Sequence, residues 1–536
     1  MIRRIAMASL AAVAVAALAS ALPPQDPWAQ EKKDPKFADV DWEYGPHDTP
    51  ISPALAPGGK LLFDRFCIQC HGEKGDGKGE LSPMLIPPPR DFTRGIFKGR
   101  SSHPELPPTA TDLMRSLIHG IPLSAMLSYS FIDTSAQQSL VAHVQDLSKE
   151  HFPKGFGFPL KSGNFHRGAQ MPLPTPETIA RGKALFDRFS CILCHGEKGN
   201  GKGSVAGTLT DGDGRPSNVR DFTQGIYSGG PNVRHMYLRI SGGVQGTVMP
   251  PFATSVSVED RWSLAHYVMS LSQRSKPLPL PHCELMIVPR AAGAPPTTPG
   301  DKEWAANAKR PLPPMIPGPF MYPMQPHYVL PLYFQQTRHN PERRYFTEAT
   351  AQALHDGKTI SIRLEWEDSA SDPDDRIEIQ ITPAKAPGFA LYGSAADPVN
   401  LWRWEGKNLK AAVEIDATGP FALAPQAKSD VTAEGAYDPA TKRWSVVFTR
   451  SLPGGGEKDA PITVGEMVPF LVLMKDGSEA WPAGTREIKA DPDEDAGEKA
   501  KIEAREAARA AAEKANEAKF KDLPRHLTTW HFMSLE

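Results

Sequence analysis

The sequence has few cysteines, little net charge and no long apolar stretch beyond its N-terminal segment. Five cysteines occur among 536 residues, and four of them fall into one repeated pattern, so a framework of disulfides is not expected. The 60 basic and 62 acidic residues nearly cancel, which argues against nucleic acid or another polyanion as a partner. After the N-terminal segment, no run is long and apolar enough to cross a bilayer.

The N-terminal segment, residues 1–21, has the pattern of a secretory signal peptide. Arg3 and Arg4 precede an apolar, alanine-rich run at 5–18, and small residues that suit a cleavage site follow it. An uncleaved membrane anchor is the alternative, because the run is close to the shortest length that spans a bilayer. We therefore expect an exported, periplasmic protein that contacts a membrane only if this segment is retained.

Two long stretches of the chain repeat each other. CIQCHGEKGDGKG begins at Cys67 and CILCHGEKGNGKG begins at Cys191, 124 positions later. GKLLFDRF before the first copy returns as GKALFDRF, and RDFTRGIF after it returns as RDFTQGIY. Apolar residues recur with helical spacing at both ends of each copy. The repeat predicts two homologous, mostly helical domains at 50–152 and 173–275.

The rest of the chain divides into three parts. Residues 276–331 are rich in proline and predict a connector with no helix and no central strand; its lone Cys283 is interpreted as an inert, packed thiol. From 332 to 490, apolar residues alternate with polar ones in KTISIRLEW and RIEIQI, whereas MVPFLVLM is apolar throughout. This pattern predicts a β-sandwich-like domain. Residues 493–521 predict an exposed helix with i,i+4 ion pairs.

The repeated C-x-x-C-H pattern is the attachment sequence of c-type haem. Two thiols separated by two residues can add to the two vinyl groups of one porphyrin, and the histidine that follows then lies under the iron. A zinc ribbon would need a second cysteine pair close by, and a redox-active pair would need a βαβ context. The pattern therefore predicts two covalent haems c, with thioethers at Cys67, Cys70, Cys191 and Cys194 and iron ligands at His71 and His195.

Each repeat also offers a methionine for the sixth iron position. Met126 and Met249 occupy equivalent positions, in loops with glycine and proline ahead of the last helix. A thioether is a soft ligand that favours Fe(II) and raises the potential, although a methionine in such a place can also simply fill the core. We predict both as ligands. His143 and His266 also match between the repeats and are interpreted as packing residues.

Each repeat resembles a small monohaem (class I) cytochrome c domain over about 100 residues, in G-x-x-L-F, in CxxCH, in the methionine loop and in the closing helix. The resemblance implies the thioether sites and the histidine and methionine ligands named above. The predicted fold class is then multidomain, with two mostly-α cytochrome c domains, a C-terminal β-sandwich domain and a terminal helix.

The C-terminal domain resembles the haem-binding domain of ethylbenzene dehydrogenase gamma subunits, a type that also occurs in the gamma subunit of nitrite oxidoreductase. The resemblance lies in ALHDGKTISIRLEWEDSASDPD and LYGSAADPVNLWRWEG. It implies a β-sandwich with a b-type haem held between a methionine and a lysine. This chain has Tyr392 where the methionine is expected, and Lys489 lies slightly beyond the expected lysine. The sequence leaves a third, b-type haem open.

The sequence favours an electron-transfer subunit over a catalytic one, with no catalytic residues assigned. By resemblance, its partner would be a molybdenum and iron–sulfur oxidoreductase. One alternative is a haem enzyme, such as a dihaem peroxidase or a thiosulfate-oxidising cytochrome, which needs an iron with a displaceable ligand. The other is a carbohydrate- or surface-binding cytochrome, in which Trp366, Trp402 and Trp404 would form a stacking platform rather than fill the core.

Overall fold

The computed structural model describes residues 51–151, 171–273, 283–307, 348–478 and 514–536, with short breaks inside these ranges, and a few short strand and helix segments outside them. Residues 51–151 form a first helical unit and residues 171–273 a second. The remaining described residues form a β domain of two sheets. No helix within these ranges is long and apolar enough to cross a membrane.

The two helical units contain the same main helices in the same order. In the first unit they are α1 (Ala56–Phe66), α2 (Ile68–His71), α3 (Ala110–His119) and α4 (Thr134–Leu147). In the second unit they are α5 (Pro176–Arg188), α6 (Ile192–His195), α7 (Val233–Gly242) and α8 (Val258–Ser270). The first and last long helices of each unit pack against each other.

Local sequence signals set the helix starts. Thr109 and Asp112 form a capping box at the start of α3, and Thr175 and Thr178 form one at the start of α5. Asp133 accepts hydrogen bonds from two backbone N–H groups at the start of α4. These side chains satisfy amides that the helices themselves leave without partners.

A glycine in the first helix of each unit allows the last helix to approach closely. A Cβ atom at Gly59 would lie 1.8 Å from the carbonyl oxygen of Ser139, and one at Gly182 would lie 2.0 Å from that of Ser263. No side chain fits at these separations. The glycine of G-x-x-L-F in each repeat therefore marks a backbone contact between helices.

The β domain consists of a five-stranded and a ten-stranded sheet. The strands in the first part of the chain are β1 (Phe37–Ala38), β2 (Met171–Pro172), β3 (Glu284–Val288), β4 (Tyr322–Pro323), β5 (Tyr328–Pro331) and β6 (Tyr333–Phe334). The next are β7 (Glu348–His355), β8 (Thr359–Glu367), β9 (Arg376–Ile381), β10 (Val399–Glu405), β11 (Ala412–Ala417) and β12 (Leu423–Pro425). The last are β13 (Thr432–Asp438), β14 (Arg443–Ser451), β15 (Met467–Lys475), β16 (His526–Leu527) and β17 (His531–Leu535).

Strand order places the buried strands in the middle of each sheet. The five-stranded sheet runs β13-β14-β8-β7-β5, and the ten-stranded sheet runs β12-β11-β10-β9-β15-β17-β3-β4, with β16 and β6 paired beside it. Strands β1 and β2 form a separate small pair. In the ten-stranded sheet, β17 pairs in parallel with β3 and antiparallel with β15.

Side chains on successive residues of the central strands face two different cores. On β15, Phe470, Val472 and Met474 join the core between the two sheets, whereas Leu471 and Leu473 join a core shared with the first helical unit. Side chains alternate faces along a strand. The uniformly apolar MVPFLVLM segment is therefore a strand buried on both faces, with the second face covered by the first helical unit.

The sheet extends beyond the predicted 332–490 range, and Lys302–Asn307 form a short helix. The prediction that residues 276–331 contain no helix and no central strand is therefore wrong. Residues Glu284–Val288 form a strand inside the ten-stranded sheet, and β17 near the C-terminus pairs with it. The strand fits because Pro281 and Pro289 flank it and leave every residue within it a backbone N–H. Cys283 is fully buried at its start, and its N–H donates to Ser130 Oγ at 2.5 Å.

The tryptophans that could have formed a carbohydrate platform lie inside the sandwich. Trp366, Trp402 and Trp404 are at most 1% exposed, and Trp366 and Trp404 contact each other and Trp444. Buried rings cannot stack on a sugar from solvent. These residues are core residues, and the platform interpretation is wrong.

Some predicted segments lie outside the described residues. These are the signal peptide at 1–21, Lys489 and most of the 493–521 helix. The described part of that helix, residues 514–520, is helical. Its last residue, Phe520, is 1% exposed and joins the core shared by the β domain and the first helical unit.

A buried carboxyl makes the β domain sensitive to pH. Asp368 is 4% exposed, and burial together with Asp375 and Asp476 raises its pKa to about 8. Since an aspartate in the unfolded chain titrates near 3.9, the folded state holds a proton between about pH 4 and pH 8 that the unfolded state has lost. The free energy of unfolding should therefore fall by about 1.4 kcal/mol per pH unit over this range.

Asp368→Asn should remove most of this slope and make the β domain more stable than the wild type at pH 8. The asparagine oxygen can still accept the hydrogen bond from Ala370 N–H. Thermal unfolding followed by tryptophan fluorescence measures the effect, because Trp444 donates a hydrogen bond to Asp375, which lies beside Asp368. The buffer contains EDTA so that no metal ion binds these carboxylates. Asp374→Asn, at an exposed position in the same loop, is the control and should keep the wild-type slope.

Candidate haem sites

The two C-x-x-C-H segments form the same short helical turn. His71 N–H donates to Cys67 O and His195 N–H donates to Cys191 O, both at 2.8 Å. A glycine with positive φ, Gly72 at 76° and Gly196 at 77°, then ends each turn. Glycine suits this left-handed conformation. In both units the turn thus holds the two cysteines and the histidine in one compact segment, as the spacing predicts.

The second unit contains one extra residue just before its first cysteine. Ser190 has no counterpart in the first unit and has a φ of 58°, a conformation that is uncommon for residues other than glycine. The helix before it ends at Arg188, and Cys191 N–H donates to Phe186 O at 3.0 Å. This insertion increases the offset between the repeats from 123 at Gly59 and Gly182 to 124 at Cys67 and Cys191.

Both histidines sit in matching apolar surroundings, and the protein orients one ring nitrogen of His71. His71 Nδ1 lies 3.0 Å from the carbonyl oxygen of Arg90, which leaves Nε2 as the candidate ligand atom. His71 stacks on Phe92 with ring centroids 4.6 Å apart, and His195 stacks on Phe222 at 4.5 Å. Burial lowers the pKa of each histidine to about 4. Both rings are therefore neutral at neutral pH, as a metal ligand must be.

The two methionine loops share their hydrogen bonds. Ile121 N–H donates to Met126 O at 2.9 Å, and Val244 N–H donates to Met249 O at 3.1 Å. Each methionine N–H donates to a hydroxyl two residues earlier, Ser124 in the first unit and Thr247 in the second, at 3.2 Å in both. Both methionine side chains are half-buried against the core of their own unit. The loops hold the methionines in equivalent places.

The cysteines are not set up for thiol–disulfide chemistry. None of the five cysteines forms a disulfide, and the four in the repeated motif are half-buried. Burial raises the pKa of Cys70 and of Cys191 to about 12. A reactive thiol needs a depressed pKa, so this environment argues against a redox-active cysteine pair.

The predicted match between His143 and His266 is wrong, because Gly59 approaches His143 Cβ where the equivalent Gly182 approaches Tyr267 Cβ. His266 Nδ1 lies 3.0 Å from Thr178 Oγ1 and its Nε2 lies 3.0 Å from Pro172 O. His143 packs edge-on against Phe63 with ring centroids 5.1 Å apart. These contacts agree with their interpretation as packing residues.

Several arginine side chains lie at the contact between the two helical units. Arg239 of the second unit donates to the carbonyl oxygens of Lys98 and Arg100 of the first, at 2.9 and 3.4 Å. Burial and the nearby Arg115 lower the pKa of Arg239 to about 10, and Asp112 acts in the opposite direction. Buried cations are stabilised by anionic partners. Asp112 is one such partner, and the propionate carboxylates of haem would add others. The cysteine, histidine and methionine positions fit covalent haem as well.

The position expected to hold a b-type haem does not fit an iron ligand. Tyr392 is fully buried; its hydroxyl donates to Glu378 Oε2 at 2.5 Å and its N–H donates to Gln380 Oε1 at 2.8 Å. Burial raises the pKa of Tyr392, so the phenol keeps its proton. Arg403 pairs with the same Glu378. This closed network occupies the place where the resemblance implies a methionine ligand.

Comparison with known protein families supports haem chemistry in the second helical unit. Residues 177–268 match the family model described as cytochrome c oxidase, cbb3-type, subunit III. The chain is 34% identical to a chain of the reducing HAO-like protein complex Kustc0457/Kustc0458 from Kuenenia stuttgartiensis, over 42% of this chain and 99% of that one, with a TM-score of 0.39.

A weaker likeness concerns a family 9 carbohydrate-binding module from Caldicellulosiruptor kristjanssonii in complex with glucose. The identity is 10%, the match covers 35% of this chain and 78% of that one, and the TM-score is 0.19. This likeness carries no conclusion about ligands. No curated protein matches the chain. Residues 177–268 therefore form a cytochrome c domain, which implies covalent haem c in this part of the chain and supports a role in haem electron transfer.

Proposed function

We propose that each helical unit holds one covalent haem c and that the chain relays electrons between two redox partners. The observation that carries this proposal is the repetition of the whole site. The hydrogen bond from Gly77 N–H to His71 O and its counterpart from Gly201 N–H to His195 O are both 2.8 Å long. The cysteines, the proximal histidine and the methionine loop recur with it, so the first unit supports the same cofactor as the second.

When bound, haem iron supplies one-electron chemistry between Fe(III) and Fe(II). The chain's own residues attach the porphyrin through Cys67 and Cys70, and through Cys191 and Cys194. His71 and His195 would each supply a neutral imidazole nitrogen to the iron. Met126 and Met249 would each supply a thioether as a second protein ligand, which would leave no position open for a substrate. Two closed irons favour electron transfer over the peroxidase or thiosulfate-oxidising alternatives.

The two units touch directly, which supports a relay within one chain. Phe97 N–H donates to Gln245 Oε1 at 2.9 Å, and Gln245 lies in the loop that leads to Met249. Arg115 and His235 approach within 2.8 Å across the same contact. A side-chain contact between the haem-binding segments of both units shortens the path that an electron must cross.

The setting of this relay is part of the proposal. The signal-peptide pattern supports a periplasmic location. The resemblance of the β domain to gamma subunits supports a molybdenum and iron–sulfur oxidoreductase as the partner that exchanges electrons with the chain. We assign no b-type haem to the β domain, because Tyr392 is committed to Glu378.

Spectroelectrochemical titration tests the proposed relay. The chain should take up two electrons in total, and both oxidised haems should be low-spin. The spectrum should not change on the timescale of mixing when cyanide is added to the oxidised protein or carbon monoxide to the reduced protein. A high-spin signal in the resting oxidised protein, or rapid binding of either ligand, would instead favour the haem-enzyme alternative.

A further inference from the structure

The first helical unit lies under the β domain at the side where its cysteines attach haem. Cys67 and Cys70 pack against a hydrophobic cluster that also contains Leu391, Tyr392 and Trp530 of the β domain. These last three side chains are at most 6% exposed. The second face of the ten-stranded sheet and the loop between β9 and β10 therefore cover the cysteine side of the first unit.

A bidentate ion pair holds this cover in place beside the motif. Arg65 Nε donates to Asp397 Oδ2 at 2.8 Å, and a terminal nitrogen of Arg65 donates to Asp397 Oδ1 at 2.7 Å. Arg65 is two residues before Cys67, and Asp397 lies in the loop between β9 and β10. Paired N–H···O bonds of this type fix orientation as well as proximity. Cys283 N–H, at the start of β3, adds a second link to Ser130 of the first unit.

The second helical unit has the same surface without the cover. Leu193 lies between its two motif cysteines and is 41% exposed. Thr208 is exposed, whereas its counterpart Met84 in the first unit is 3% exposed. Arg188, the counterpart of Arg65, is exposed and lies over the ring of Phe189. The repeat thus gives a comparison within one molecule, in which only the first unit is covered.

We propose that the β domain seals the thioether edge of the first haem, so that electrons exchange with outside partners through the thioether edge of the second haem. This inference rests on the proposed function, since it needs a haem in each unit. The first unit also contacts the second unit, at Phe97 of the first and Gln245 of the second. This is the face through which the first haem can exchange electrons with the second haem. The first haem is then an inner relay station, and the second is the one that outside partners reach.

Paramagnetic line broadening of the haem methyl protons tests the seal in the full haem-loaded chain. A soluble, neutral gadolinium chelate broadens resonances that solvent can approach. The variant Cys191→Ala with Cys194→Ala, which keeps the first haem alone, assigns the signals. Methyl signals at the thioether edge of the second haem should broaden several-fold more than those of the first. Equal broadening in a chain that holds two haems would overturn the seal and leave the proposed function standing.

A matched pair of charge reversals tests whether the β domain provides the seal. Arg65→Glu places a carboxylate against Asp397, and should increase the broadening of the first haem's methyl signals several-fold. Arg188→Glu, the same change at the equivalent exposed position, should leave both haems as in the wild type. If Arg65→Glu keeps its tryptophan fluorescence and its first haem stays as protected as in the wild type, the helical unit seals itself and the inference is wrong.

Discussion

Met249→Ala is expected to lower the reduction potential of the second haem and to open its iron to small ligands. The thioether is a soft donor that stabilises Fe(II), and alanine leaves no donor at that position. Potentiometric titration should show one of the two potentials shifted down while the other stays in place. Carbon monoxide should then bind to one reduced haem for each chain.

A second methionine in the same unit provides the control. Met269 packs against the same core but lies on α8 rather than in the loop. Met269→Ala should keep both potentials and bind no carbon monoxide, although it removes a thioether of the same size. If Met249→Ala leaves the potential unchanged and its iron closed, Met249 is not an axial ligand.

Gly59→Ala should cost about 3 kcal/mol of unfolding free energy, because an overpacked contact costs 1–3 kcal/mol and this one involves backbone. The new Cβ would lie 1.8 Å from Ser139 O and 2.9 Å from His143 Cβ, so α1 and α4 must move apart. Alanine ordinarily stabilises a helix relative to glycine by about 1 kcal/mol. A decrease in the unfolding free energy therefore indicates that the close helix contact exists, whereas an increase indicates that it does not. Thermal unfolding monitored in the Soret band measures this free energy.

The neighbouring glycine is a control within the same helix. A Cβ at Gly58 would meet no heavy atom within 4 Å. Gly58→Ala should accordingly be neutral or stabilising by about 0.5–1 kcal/mol. Equal stability of the two variants would show that the close crossing of α1 and α4 does not hold in solution.

Local patterns allowed the helical units to be anticipated in detail. The spacing of Cys67, Cys70 and His71 fits one helical turn, and the structure forms that turn in both copies. The loops around Met126 and Met249 also match. These features depend on residues close together in the sequence. The sequence comparison itself covers one of the two units, at residues 177–268.

Contacts between distant segments could not be read from the sequence. Arg65 and Asp397 are far apart along the chain, and neither residue type marks an ion pair by itself. The strand Glu284–Val288 was hidden because prolines surround it, and its partner β17 follows a long charged segment. The apolar segment of β15 did signal burial on both faces. It could not reveal that one of those faces meets the first helical unit.

The central claim is that the chain holds two covalent haems c. A pyridine haemochrome spectrum of protein from a host that matures c-type cytochromes, combined with acid extraction and a protein assay, tests it most directly. Two haems for each chain should remain with the protein after extraction, and Cys191→Ala with Cys194→Ala should reduce the count to one. A colourless chain, a motif that holds zinc, or a wild-type count of one would contradict the account.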